Sequence, residues 1–564
     1  MSNQILHALS PWSEVDTSEY KGLSPRLDDL DGKVIGMFGD FMAVATLMLH
    51  AVEDEMHKRY PNATFSYLQY CTETTRIAED KAFRPIFDEW IKGVDCVLSF
   101  YGSVPSSSLF LGYNTAYMER LGKPTVMLVM PRTYPAALRG VKAIGVPGVR
   151  TLTYQATFDI IRSHVTQDEV NDKMAPVISG LTDDLVSALT RPLTEEEANP
   201  TIPQQEYART VYSGTAREIS RLFYKNGWTN GQPIEIPTQE AVDEMLRGTD
   251  LPADHIVGYI PPKMGCATVR SIAVNAVMAG CLPTYLPVLI AAVEGALDPR
   301  IYLEGWTCSQ STWGPVITLS GPIVDDIGLN TKDNALSPYY KANACIARAF
   351  GYIMMNIGGL RPGIEDLSEM GHENRLGLCL GDDVENNPWG PIHMDFGMDR
   401  EDSAVTMFWP QEHRALSANT PAELLSGLCE IDVVGWEPGL QIVMTPMCAR
   451  KMADAGWTKR SIMEYVVEYA RRPAAKTDLQ WLVGNSHVPT NVSLPVNMEH
   501  STRKFWDSKH MFCHVSGGKA GPMATVYAGG GDHGGPSCTK IRLPENWAAL
   551  VEEYADVKPA YIEY

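Results

Sequence analysis

The chain has 564 residues, 45% hydrophobic and 20% charged, which allows a large packed core and does not point to a disordered chain. At roughly 100–200 residues per domain, two to four domains are expected. A net charge of −21 and a pI near 5.1 argue against a partner that is nucleic acid or an anionic membrane.

No apolar run approaches the roughly 18 residues of a spanning helix. The N-terminus lacks a basic start and an apolar signal core. A soluble, cytoplasmic protein is expected. The eleven cysteines include no CxxC pair, so neither a disulfide framework nor a zinc knuckle is indicated.

Strand and helix signals alternate from the start. Residues 33–38 (KVIGMF) read as a buried strand that turns at Gly39-Asp40 into an apolar helix over 41–58. Residues 63–70 read as a second strand, followed by a charged amphipathic stretch to Lys92. The third strand, 96–100, runs into a Gly/Ser/Pro turn over 101–108 and then a helix over 109–121. Strands at 124–130 and 149–154 complete the set. The pattern predicts an α/β fold, with a doubly wound, Rossmann-like parallel sheet in a domain spanning 1–160. Ligands of such sheets sit beyond the carboxyl ends of the strands. The turns at 39–40, 101–108 and 131–133 all lie on that edge.

Strand, small-residue turn and helix together aim backbone N–H groups at an anion. Gly102, Ser103, Ser106 and Ser107 are therefore candidate substrate-binding residues. The competing reading is a tight turn whose serines only cap the helix.

Residues 161–235 read as a helical segment and linker, with a Pro-rich charged run at 190–206 and an amphipathic helix at 207–226. Residues 236–564 read as a large α/β domain, or as two related halves, 236–420 and 421–564. A weak echo between the stretches from Ala276 and from Ala449 suggests the halves. Each is followed by a strand ending in small residues, at 316–322 and 512–518.

Three clusters in the large domain carry candidate chemistry. Lys263 and Cys266 lie between a short strand, 255–260, and a helix, 269–279. A thiol at a helix N-terminus is shifted towards thiolate, and Lys263 would add positive charge. Residues 358–396 form a glycine-broken polar stretch read as a loop, with His372 and His393 as acid–base or ligand candidates. His514, Gly518, Asp532 and His533 belong to a Gly-rich stretch after an apolar strand. It lacks the Walker spacing, so no nucleotide cofactor is indicated. No HExxH or GxSxG occurs. A divalent transition metal would draw on Cys266, His372, His393, His514 and His533. Each of these residues also has a plain structural reading as packing, hydrogen-bonding or lid.

The first domain resembles the UGSC family, named for a Cys- or selenocysteine-Gly-Ser-Cys motif. The resemblance runs from about Gly32 to Tyr154. It rests on Val94-Asp95-Cys96-Val97, Tyr101-Gly102-Ser103, Leu121-Gly122-Lys123-Pro124-Thr125-Val126 and Gly145-Val146-Pro147. Tyr101 stands at the redox position and Val104 at the second Cys, so the resemblance transfers the anion-binding turn but not the thiol chemistry. Tyr101 is then a candidate acid or oxyanion donor.

The expected function is an enzyme acting on a small anionic carboxylate. Lyase or hydrolase chemistry at a carbon–heteroatom bond is favoured, in a pocket between the 101–108 turn and the large domain. Tyr101, Cys266, His372, His393 and His533 are the catalytic candidates. The alternatives are a thiol oxidoreductase using Cys266 and a non-catalytic ligand-binding subunit. A homo-oligomer is expected.

Overall fold

The computed structural model describes residues 4–14, 19–39, 43–69, 76–102, 104–156, 166–201, 210–431, 439–473, 501–505, 507–529 and 535–555. The early apolar runs pair as expected. Strands β2 (Val34–Gly39), β3 (Thr64–Gln69), β4 (Cys96–Gly102), β5 (Thr125–Val129) and β6 (Arg150–Thr153) form a parallel sheet in the order β3-β2-β4-β5-β6. Alternate strand residues face opposite layers. Met37, Leu98, Phe100 and Leu128 pack under helices α1 (Ala43–Arg59) and α5 (Gln167–Thr190). Phe38, Val97, Met127 and Val129 pack under α2 (Arg84–Lys92), α3 (Pro105–Arg120) and α4 (Tyr134–Ala143). Helices α3 and α4 cross backbone to backbone at two glycines. A Cβ on Gly112 would lie 2.4 Å from the Ala137 carbonyl oxygen, and one on Gly140 2.3 Å from that of Leu109.

Two local expectations need correction. Helix α3 begins at Pro105, not near 109. Proline is favoured at the first helical position, and the serines turn their hydroxyls back into the first turn. Within the amphipathic helix expected over 207–226, residues 211–214 instead form strand β7 (Val211–Gly214), and helix α6 is Ala216–Lys225.

Strand β7 pairs antiparallel with β1 (Leu6–Leu9). Ala8 and Trp12 join the core of the large body, so the N-terminal arm belongs there and the parallel-sheet module is inserted between β1 and β7.

The large body starts with a hairpin, β8 (Ile256–Ile260) and β9 (Gly265–Thr268), and helices α7 (Val269–Met278) and α8 (Leu286–Ala296). Then follow β10 (Val316–Ser320), α9 (Lys341–Asn356), β11 (Leu378–Gly381), β12 (Ala404–Phe408) and β13 (Pro410–Ser417). Strand β11 lies inside the stretch expected to be loop. Its Cys379, Leu380 and Gly381 are buried, and the flanking glycines hid it.

Next come α10 (Pro421–Glu430), β14 (Gly439–Met444), α11 (Pro446–Asp454) and α12 (Lys459–Tyr469). A short hairpin follows, β15 (Arg471–Pro473) and β16 (Ser501–Arg503). The last strands are β17 (Met511–Val515), β18 (Met523–Gly529) and β19 (Ser537–Lys540).

These strands form two four-stranded sheets, β11-β10-β12-β19 and β13-β18-β14-β17. The two orders are the same topology repeated. In each, a strand pairs in parallel with the next strand of its half and antiparallel with the third. The fourth strand crosses over: β13 follows β12 but pairs with β18, and β19 follows β18 but pairs with β12. This repeat sets β10 against β14 and β11 against β17, so the expected echo of 316–322 with 512–518 was out of register.

The sheets face each other through Val316, Leu380 and Phe408 on one side and Val443, Phe512 and Tyr527 on the other. Helices α7, α8 and α9 cover one outer face, and α10, α11 and α12 the other.

Candidate functional site

The N-terminal sheet changes winding direction between β2 and β4, the position at which such sheets bind ligands. Tyr101 and Gly102 end β4 there. Their side chains, all of Ser103, and segments 40–42, 70–75 and 157–165 lie outside the described residues. Ser107 is buried, and its hydroxyl donates to the Val104 carbonyl at 3.1 Å. Ser108 donates to the same oxygen at 2.9 Å. Those two hydroxyl protons are therefore used inside the first turn of α3. Ser106 is half-buried beside them.

Three arginines carry this module across to the large body. Arg76 bonds the Glu304 carboxylate and lies over the Tyr113 ring at 4.6 Å. Arg132 bonds Glu369. Arg139 donates to the Ile364 carbonyl and sits 3.6 Å from Glu365. The seam thus joins the edge of the N-terminal sheet to residues 358–375, part of the stretch singled out for its polar chemistry.

The β8–β9 hairpin reaches the same seam. Lys263 Nζ donates to the Ser13 carbonyl at 2.9 Å and lies 3.5 Å from the centre of the Trp12 ring. Arg361 approaches the same ring at 5.3 Å and grips Glu365 at 2.9 and 2.7 Å. Burial, then repulsion from Arg361, pushes the Lys263 ammonium down to about 7. Cys266 lies in β9, and Thr268 caps helix α7. The thiol therefore falls before the cap rather than on the helix N-terminus, and the helix field expected to favour thiolate falls off beyond that end. The Cys266 amide donates to the Glu14 carbonyl at 2.6 Å, and the Ser13 hydroxyl bonds the Cys266 carbonyl, so this strand clamps the N-terminal arm.

Beside Glu365 opens a cleft of about 480 Å³. It is lined by Asp366, Ser368, Glu369, His372, Glu373 and Arg375, among others. Arg375 holds Asp366 at 2.6 Å and donates to the Trp313 carbonyl at 2.6 Å. The His372 side chain is only 2% exposed, and burial lowers its pKa. The Asn374 amide donates to His372 Nδ1 at 3.0 Å. A backbone N–H can only donate, so Nδ1 is the acceptor and the neutral ring carries its proton on Nε2.

His393, His514 and Gly518 lie elsewhere, in and beside the layer between the two large sheets. His393 Nδ1 is 2.9 Å from the Ser320 hydroxyl, which is 3.3 Å from Asp382 Oδ2. Asp382 also accepts from the Ile392 amide at 2.8 Å, the Asn387 side chain at 3.1 Å and the Val515 amide at 3.2 Å. Burial raises its carboxyl pKa. His514 Nε2 accepts from Gln441 at 3.1 Å, and Gln441 donates to Thr318 at 2.9 Å. Burial pushes His514 down to about 3. These groups are fully buried and tie strands together.

Gly518 has a packing role here: a Cβ there would lie 1.9 Å from Asp333 Oδ1. That carboxylate occupies the place expected for an anion. Asp532 and His533 lie outside the described residues.

The candidates therefore separate. Lys263 and Cys266 lie on the hairpin at the seam and His372 lines the cleft next to it, whereas His393 and His514 belong to the sheet interface. Among the described residues no three His, Cys, Asp or Glu side chains come together as a metal site. Sequence reasoning missed Trp12, Arg139, Arg361, Glu365 and Arg375. The one available signal was the Arg-Pro-Gly-Ile-Glu-Asp run at 361–366, whose alternating charges suggest ion pairing.

The model of the UGSC family matches residues 7–186. That segment is of the UGSC family. No curated protein matches the chain. The UGSC segment takes in β1 of the large body, the whole parallel sheet and most of α5, so it spans both sides of the seam. No described helix is long and apolar enough to cross a membrane.

Proposed function

We propose that the protein is an enzyme acting on a small anionic metabolite, with lyase or hydrolase chemistry at a carbon–heteroatom bond. The reaction is assigned to the seam between the UGSC segment and the large body. The observation that carries this reading is the cleft beside Glu365, where His372 is held neutral with its proton on Nε2. A buried neutral imidazole of set tautomer is suited to donate its Nε2–H as a hydrogen bond to an oxyanion that develops on the substrate. Lys263 and Arg361 would hold the substrate carboxylate. The same reading keeps the protein in the cytoplasm, as a homo-oligomer.

The test is a thermal-shift screen of small carboxylates on the full chain, followed by turnover of those that stabilise it. For a carboxylate that is turned over, His372→Phe should lower kcat about a hundredfold or more with little change in the thermal shift. Unchanged kcat would remove His372 from the chemistry. No stabilising carboxylate would remove the anionic substrate.

A further inference from the structure

We propose that the seam binds a dianion, a small molecule with two negative charges, held by Lys263, Arg361 and Arg139. This rests on the anionic-substrate reading and narrows it.

The argument is a charge count. The charged groups facing Lys263 are Arg361 and Glu365. Those facing Arg139 are Glu365 and Arg361, with the Cys308 thiol beside them. With Lys263 protonated, three cations thus share one carboxylate, leaving two positive charges. The neighbouring carboxylates are already engaged: Glu304 by Arg76 and Asp366 by Arg375. The Trp12 ring and the carbonyls of Ser13, Asn356 and Ile364 contact these cations. They are dipoles, however, and supply no countercharge.

Like charges brought together in a part-buried place raise each other's cost, and a second anion relieves it. Arg139 shows the gap directly. Its Nη1 is buried and has no hydrogen-bond partner. Arginine's planar fork suits a carboxylate or phosphate, and Lys263 adds a point charge. Pro362 and Gly363, which follow Arg361 in the chain, line the cleft, and Ile364 beside Arg139 is exposed.

Binding a dianion here restores the Lys263 ammonium, so it takes up a proton above neutral pH. The experiment is calorimetric titration of the full chain at pH 8 with succinate, inorganic phosphate and acetate. Each is run in two buffers of different ionisation enthalpy. Succinate or phosphate should bind at least about tenfold more tightly than acetate, with proton uptake. Arg139→Gln and Arg361→Gln should each erase that preference. Lys263→Met should abolish the uptake while the folded chain still melts cooperatively. Acetate binding as tightly as both dianions would overturn the dianion and leave the anionic reading standing. Heat from none of the three would overturn both.

Discussion

Two regions of this molecule bury polar side chains, and they do so on opposite principles. Between the large sheets, Asp382 accepts from Ile392, Val515, Asn387 and Ser320, while Gln441, His514 and Thr318 form a second network. Most of the donors there meet an acceptor, Asp382 just after β11 or a group on β10 or β17, while His393 Nε2, Gln441 Oε1 and His514 Nδ1 are left without a partner. At the seam, three cations share Glu365, and the rest of their surroundings is a ring and carbonyl oxygens. The first arrangement spends its polarity on joining two halves that exchange a strand. The second keeps charge in reserve. Burial alone does not distinguish a site from a fastening; the balance of charge does.

The comparison breaks most decisively at Asp382. Asp382→Ala would leave two buried amides, one side-chain amide and a hydroxyl without their acceptor. A loss of about 3 kcal/mol or more is expected, read as a lower denaturant midpoint at unchanged slope. The corresponding seam variant, Arg139→Gln, removes one of several like charges and should cost far less. Equal losses would mean that the seam is a fastening too.

The fold was largely legible because the N-terminal strands are short apolar runs separated by helical patterns, the signature of a sheet buried on both faces. The strand exchange was not. Strand β13 carries Gln411, Glu412, His413 and Arg414 in a row with no apolar alternation, and its partner β18 lies more than a hundred residues away. The arm strand β1 was missed for a similar reason: four residues cannot declare a partner at Val211–Gly214. At the site, the polar stretch after Gly358 was visible as a glycine-broken run of charged residues, and of the residues singled out in the sequence Lys263 lies at the seam and His372 on the cleft. Arg139 was invisible. On its helix it reads as an ordinary surface cation, and only folding brings it to Glu365. Cys266 misled because a strand of four residues separates the turn from the helix.

A second contrast is in pH. His514 is held down to about 3 in the folded chain, against 6.5 for an ordinary histidine. Between those values the unfolded chain binds the extra proton, so stability rises with pH and falls on acidification. The slope approaches 1.4 kcal/mol per pH unit. Asp382, raised by burial, works in the opposite sense, so the difference between variant and wild type is the informative quantity. His514→Gln should flatten the loss between pH 6 and pH 4, followed by denaturation midpoints; parallel curves would show that the ring is not excluded from water.

The smallest effect expected lies at the seam and on the alkaline side. Folded Lys263 loses its proton near 7, whereas an ordinary lysine keeps it to 10.5. Through that window the unfolded chain again holds one proton more, so stability rises with pH. Below it the crowded ammonium exacts its full cost. Lys263→Met gives up hydrogen bonds to the Ser13 and Asn356 carbonyls but relieves the repulsion from Arg361. At neutral pH the two changes offset, and the variant should match the wild type within about 0.5 kcal/mol. The distinguishing feature is the slope from pH 7 to 9, present in the wild type and absent in the variant. A saturating dianion should remove it from the wild type as well, by supplying the charge that Glu365 cannot. A slope unaltered by both changes would mean that the three cations are already balanced, and the seam would then differ from the sheet interface only in place.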